Sequence, residues 1–423
     1  MKEETALRQW DGLLQNRRFV ALATAHVLTR LAFWMAFLGM MSLASFTLHS
    51  KASGTAFVLG ALGAPFIVLA PFSGMLVDRS SARTTLASTY VIGAVLSIGL
   101  VHVTKLWQLV AGAALWGISG TLILPSLGAM LKRGLVGEDQ LPRANSIIQA
   151  GWEVTLIAGP ALSGFLTKHF SAATPFYVSA ALYGIGLAVL TLVPSWPPNT
   201  ERTSSPGGLL QGVAVLFGRP DLRAIAMWGG FATAAFSAIL AIEPIFVRDV
   251  LGGGPERLGL IYSFGGMGAT AGALLAASGR FGRRELAGIA GAFGLYGVAA
   301  IAYAWLAHWP GIIPAVMALQ MGFSISITLT VILVQRRSPA AVVGRALAAQ
   351  RGVEQCFDIT GTLIGGAVAA VIGARSTILA AGAVVVVAAL VLAARGARID
   401  RDEGGPHPTA ELQHPPLAFE RFD

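Results

Sequence analysis

The chain has 423 residues, of which 55% are hydrophobic and only 12% charged, with a mean hydropathy of +0.68 and a formal net charge of +9. A soluble domain carries about a quarter charged residues, so this chain lacks the polar surface a water-soluble globule needs, and the bilayer is its natural solvent. In a soluble protein the basic excess would suggest nucleic acid; here the distribution of positive charge across a membrane explains it first, and no nucleic-acid partner is expected.

The first 18 residues are polar and end in Arg17 and Arg18. The apolar run that follows reaches about Leu48, too long for the core of a cleaved signal peptide, and reads as a retained first span. A spanning helix needs roughly 20 mostly apolar residues. Twelve stretches qualify: 19–47, 55–77, 84–103, 107–131, 144–167, 173–193, 222–247, 257–278, 286–306, 310–334, 343–371 and 374–394. The expected fold is all-α, with twelve transmembrane helices as two pseudo-symmetric six-helix bundles. The 51 glycines suit it, because small residues let membrane helices approach closely. The interval 194–221, with Pro194, Pro197, Pro198, Pro206, Gly207 and Gly208, has linker composition. It separates a first bundle at 1–193 from a second at 222–395. Residues 396–423 are polar and proline-rich and are expected to form a disordered tail. Cys356, the single cysteine, reads as a small core hydrophobe.

Loop charges orient the chain. With the N-terminus in the cytoplasm, 22 Lys and Arg fall on the cytoplasmic side and 6 opposite: Lys51, Lys105, Lys168, Arg248, Arg257 and Arg375. Positive residues favour the inner side, so both termini are expected inside the inner membrane of a bacterium. The halves also echo each other. Arg143-Ala144, Gly159 and Gly164 recur 202 residues later as Arg345-Ala346, Gly361 and Gly366. Arg79 and Arg83 recur 201 residues later as Arg280 and Arg284. Such offsets fit two parallel repeats with a substrate path between them.

The segment from Gly74 through Asp78 and Arg79 to Arg83, between the second and third spans, resembles the loop signature of the major facilitator superfamily. Ser81 and Ala82 depart from its closing triplet. The resemblance implies a gating loop at the cytoplasmic side, whereas the residues alone also suit a solvated positive loop. In the fifth span, Gly151, Gly159, Pro160 and Gly164 resemble the antiporter motif of the same superfamily, with Thr155 and Ser163 in place of two of its glycines. A proline-kinked packing helix is the ordinary reading of the same residues. Together with Leu106-Trp107-Gln108-Leu109, Pro125 and the turn Leu141 to Asn145, these features make residues 12–395 similar to the branch that contains the enterobactin exporter and macrolide efflux proteins. That resemblance implies export of a siderophore or drug-like compound. A lysophospholipid-type transporter and a non-transporting membrane partner or sensor are the alternatives.

Charges inside spans are costly and mark functional sites by default. Arg351, Glu354 and Asp358 share one face of the eleventh span, at i, i+3 and i+7. Arg351 can neutralise one carboxylate, and the other can take up a proton or meet Arg30 of the first span. Glu153, near the middle of the fifth span, has no cation within one turn. It is either a proton site or the partner of Arg30. A carboxylate held in low dielectric resists ionisation and so can exchange protons near neutral pH. Glu153, Glu354 and Asp358 are therefore the proton-coupling candidates, with Arg30 and Arg351 as cavity charge partners. A structural ion-pair network is the competing reading. Glu243 precedes Pro244 near a span end and is expected to be solvated at the interface. Trp34, Trp116, Trp152 and Trp228, with Phe33 and Phe37, either line an aromatic cavity or face core and lipid. Trp107 and Trp309 read as interfacial anchors. His26 and His102 are isolated, and no nucleotide-binding loop, HExxH or GxSxG set occurs. Neither a metal, a cofactor nor an enzymatic reaction is expected. The expected partners are a small-molecule substrate, protons and the lipid bilayer, and the expected state is a monomer.

Overall fold

The computed structural model describes residues 13–195, 208–281, 285–339 and 342–403. Those residues are helical, without strands, and twelve long helices stand where twelve spans are expected. They are α1 (Arg17–Thr47), α2 (Ala52–Arg79), α3 (Ala82–Val101), α4 (Leu106–Met130), α5 (Leu141–His169) and α6 (Thr174–Leu190). The second set is α7 (Pro220–Asp249), α8 (Pro255–Ala277), α9 (Glu285–Leu306), α10 (Ile312–Arg337), α11 (Val343–Ile372) and α12 (Ala374–Glu403). A short helix, Gly208–Gly218, lies within the predicted linker and packs on α11. α12 runs eight residues past the predicted end of the second bundle at 395.

Among the described residues, ten helices are long and apolar enough to cross a membrane. The other two are α5, whose apolar run is broken by Asn145, Gln149 and Glu153, and α6, which has only 17 residues. Seventeen residues rise about 25 Å, near the lower limit for a span. Sequence chemistry sets several ends. Asn16 caps α1 by accepting from the amides of Arg18 and Phe19 at 3.1 and 3.2 Å, which satisfies donors that the first turn leaves free. Proline occupies the first turn of α5, α6, α7 and α8, where its missing N–H costs nothing. Gly373 ends α11 at φ +84°, a backbone that L side chains resist.

The packing repeats with a shift of six helices. α1 packs on α5 and α6, as α7 packs on α11 and α12. α2 packs on α4, as α8 packs on α10; α3 on α6, as α9 on α12. The halves meet along two seams that also correspond, α5 with α8 and α11 with α2. α1 and α7 are the most enclosed of the ten spans, 72% and 61% buried along their apolar windows.

The recurring glycines explain how two seams and two cores share one helix. A side chain at Gly159 would strike Trp34 of α1, and one at Gly361 the backbone of Ala234 in α7. A Cβ at Gly164 would come within 2.7 Å of the Pro255 carbonyl of α8, and one at Gly366 would strike Ala56 of α2. One glycine of each pair therefore seats the helix in its own half, and the other seats it against the opposite half. Pro160 breaks the amide ladder of α5 next to these contacts. Ser163 then bonds the Met35 carbonyl of α1 at 2.9 Å, and Ser179 of α6 bonds the Ala32 carbonyl at 2.8 Å.

Candidate functional site

Helix pairing brings the predicted carboxylates to the seams. Ser263 of α8 donates to the Ile157 carbonyl of α5 at 2.7 Å, fixing the first seam. One turn along α5 from Ile157, Glu153 accepts from Gln149 at 2.9 Å and from Thr270 of α8 at 3.3 Å. In the second seam, Gly60 and Gly63 of α2 lie against Leu363 and Ile359 of α11. Asp358 sits there, accepting from Ser237 of α7 and from Gln355 at 3.1 Å. Each seam thus holds one carboxylate whose hydrogen-bond partners, among the described residues, are uncharged.

Glu354 differs. It is almost buried, and Arg351 reaches it at 3.1 Å while Gln350 donates at 3.1 Å. Arg351 and Glu354 thus form an ion pair, and Asp358 is the carboxylate left without a cation among the described residues. The Arg351 side chain is 62% exposed, so it can reach aqueous surroundings while holding that pair.

Arg30 departs from expectation. It bonds neither Glu153 nor a carboxylate of α11. Its guanidinium lies over the Trp152 ring at 3.8 Å and the Phe33 ring at 4.6 Å. These rings belong to a wall in which Phe33, Trp34, Phe37, Trp116 and Trp152 meet edge-on or stacked, with centroids 5.5–6.4 Å apart. Phe37 also reaches Tyr262 of α8 at 6.0 Å, so the wall extends across the first seam. Trp228 lies apart from this wall and packs on Phe231. The reason for the altered pairing is position: Trp152 occupies the face of α5 that looks at Arg30, while Glu153, one residue on, turns toward α8.

Two further readings are corrected. Glu243 is not solvated: it is 5% exposed and accepts a 3.0 Å bond from Tyr303 of α9. α7 continues past Pro244 to Asp249, which carries Glu243 into the second half's core. Cys356 is exposed instead of buried, because it sits about 200° around α11 from the buried Glu354.

Polar contacts join the halves at the end of the molecule that carries Lys51. Arg248 of α7 donates to the Ser45 and Ser50 carbonyls at 2.5 and 3.2 Å, and Lys168 of α5 pairs with Glu256 of α8 at 3.6 Å. At the end that carries Arg79, the polar contacts include several within one half. Arg83 bonds the Thr191 carbonyl at 3.3 Å, Ser81 meets Ser195, and Arg336 pairs with Glu285. Gly74 and Asp78 of the proposed gating loop lie on α2, with side chains outside the described residues; Arg79 is exposed at its end. Among the described residues no group of His, Cys, Asp and Glu could hold a metal ion.

Twelve helices in two matching sets, paired along two seams, define a multi-pass membrane protein, and the comparisons place it among transporters. The sequence model of the Major Facilitator Superfamily matches residues 22–356, and the chain belongs to that superfamily. It is 27% identical over 267 residues to the uncharacterized MFS-type transporter YfiS of Bacillus subtilis, covering 60% of this chain and 63% of the relative. It is 29% identical over 255 residues to the enterobactin exporter EntS of Citrobacter koseri, covering 59% of each. To the putative multidrug resistance protein MdtD of Klebsiella pneumoniae it is 29% identical over 181 residues, 41% of this chain and 38% of the relative. The matches thus span less than two thirds of these relatives. Among solved structures, a point mutant of the nucleoside transporter NupG superposes with a TM-score of 0.74 at 16% identity, over 89% of this chain and 99% of that one. A bacterial homologue of the human lysosomal transporter Spinster, inward-facing and unoccupied, gives 0.71 at 13% identity, over 93% and 99%. These likenesses show the fold.

Proposed function

We propose that this protein is a proton-coupled exporter of a siderophore or drug-like compound, working by alternating access in the bacterial inner membrane. The names of its relatives support export. The observation that carries coupling is the pair of seam carboxylates, Glu153 and Asp358, each bonded by uncharged donors. Carboxylates inside spans mark proton relays in pumps and transporters, and these two have only uncharged hydrogen-bond partners among the described residues. Because each group lies where the halves touch, opening a seam changes which side of the membrane can reach it, which is what alternating access requires of a coupling group. Glu354, already paired with Arg351 on the same helix, is the third candidate and ranks behind these two.

The charge distribution assigns the Arg79 end to the cytoplasm. Cross-half contacts at the Lys51 end then correspond to an inward-open state, closed toward the outside by Arg248 and the Lys168–Glu256 pair. Substrate enters between the halves from the cytoplasm, and closure of the cytoplasmic gate around Asp78 and Arg79 opens the outer side. A pH difference of one unit supplies about 1.4 kcal/mol per proton, enough for a roughly tenfold gradient. The membrane potential adds about 2.3 kcal/mol per net charge per 100 mV.

The test uses purified protein in weakly buffered detergent solution with a pH-sensitive dye. A catecholate siderophore, a macrolide and ethidium are added in turn. An exporter of this kind releases protons on binding at least one of them, and Asp358→Asn and Glu153→Gln each reduce the release. A compound that binds without proton release, equally in the wild type and both variants, refutes the coupling.

A further inference from the structure

Arg30 is unusual for a membrane arginine. It is 7% exposed, and among the described residues no carboxylate holds it; its Nε has no hydrogen-bond partner. The indole N–H of Trp34, one turn further along α1, is also buried without a partner. Residues 26, 30, 33, 34 and 37 share one face of α1, so both donors project from the same stripe as the aromatic wall. Trp152 and Phe33 cover the guanidinium. Ring faces attract a cation, but they accept none of its in-plane N–H bonds. The ionisable neighbours are His26 on α1, Tyr183 on α6 and Tyr90 on α3, none of them a carboxylate. A buried cation with no counter-ion and free fork donors is complementary to an anion.

We propose that Arg30 is the anion-recognition point of the substrate site, and that the cargo is an organic anion with an apolar or aromatic body. This rests on the reading of the chain as an exporter and adds the charge of its cargo. The anionic group takes the Arg30 fork and the Trp34 N–H. The apolar body lies along Phe37 toward Tyr262, the ring pair that crosses from α1 to α8. Because that pair spans the seam, a bound body touches both halves, and occupancy is sensed by the moving interface.

The test is equilibrium binding of three fluorescent probes of one shape to the full chain in phosphatidylcholine nanodiscs, with no gradient: 2-naphthoate, 2-naphthamide and 2-naphthylmethylammonium. 2-Naphthoate is expected to bind at least tenfold more tightly than the other two. Arg30→Gln removes that preference, Arg30→Lys keeps part of it, and Trp34→Phe weakens naphthoate alone. Equal binding of the three probes by the wild type overturns the assignment without needing any variant to fold. So does a preference that survives Arg30→Gln. Repeating the measurement with phosphatidylglycerol present separates cargo from lipid: if it displaces naphthoate, the site belongs to a lipid headgroup and the cargo assignment fails. Failure here leaves proton-coupled export standing, because proton release is read separately; loss of proton release with the charge preference intact removes the coupling alone.

Discussion

Gly164→Val tests the link between seam packing and access state. At this position a Cβ alone comes within 2.7 Å of the Pro255 carbonyl, 3.1 Å of the Glu256 Cα and 3.3 Å of the Gly259 Cα. All three obstacles are backbone on α8, so no rotamer change relieves them. Overpacking of this kind costs about 1–3 kcal/mol, and the cost falls only on the state in which α5 and α8 touch at the Lys51 end. If that state exchanges with one open at the same end, the substitution shifts their ratio by roughly 5- to 150-fold toward the open one. The assay is pulsed spin-label distance measurement between cysteines placed at the exposed Phe170, just past α5, and the exposed Leu260 of α8, which leaves the Lys168–Glu256 pair intact, in a Cys356→Ser background. The short-distance population should fall and a longer one should appear, with helical content unchanged. An unaltered distance distribution in a folded Gly164→Val protein refutes the claim that this contact is specific to one access state.

Other outcomes follow from single contacts. Glu243→Leu leaves the Tyr303 hydroxyl buried without its acceptor, a loss of about 1–3 kcal/mol, whereas Glu243→Gln keeps an acceptor; thermal unfolding in detergent should place the leucine variant clearly lower, and equal melting contradicts the buried bond. Ser163→Ala removes the bond to the Met35 carbonyl, worth about 0.6–1.7 kcal/mol between membrane helices, and should lower the melting temperature modestly without changing probe selectivity. Arg351→Gln removes the cation that reaches the nearly buried Glu354 and should lower the melting temperature of the protein; unchanged melting shows that the pair adds nothing to stability. Gly366→Val, the counterpart of Gly164→Val in the second seam, should shift the same spin-label population in the same direction.

The twelve spans were legible because hydropathy is a local property and the bilayer demands it over about 20 residues at a time. The seams were partly legible: the spacing of Gly159 and Gly164, repeated at Gly361 and Gly366, carries the packing of both halves. Side-chain partnership followed a different rule. Glu354 with Arg351 could be read from i, i+3 spacing, since one helix supplies both. Asp358 depends on Ser237, 121 residues away, and Glu243 on Tyr303, 60 residues away; no local pattern announces such pairs. The Glu243 reading failed because the residue lies near the outer end of the span read as 222–247, where charge is ordinarily tolerated, whereas Tyr303 of α9 covers it there. The Cys356 position was available from helical geometry, since residues two apart lie on nearly opposite faces. Arg30 was found as an intramembrane charge but assigned a carboxylate, because charge pairing is the ordinary expectation and an aromatic cover comes from tertiary packing.

Coupling through the seams means that cargo moves outward as protons move inward. It is tested most directly in proteoliposomes loaded with a compound shown to release protons on binding, with a one-unit pH gradient imposed and both cargo and internal pH followed. Cargo should move uphill, and that movement should collapse when the gradient is abolished. In Asp358→Asn, equilibrative exchange should persist while gradient-driven accumulation, about tenfold for one coupled proton, is lost. Accumulation that ignores the pH gradient, or that proceeds unchanged in both Asp358→Asn and Glu153→Gln, would contradict the coupling.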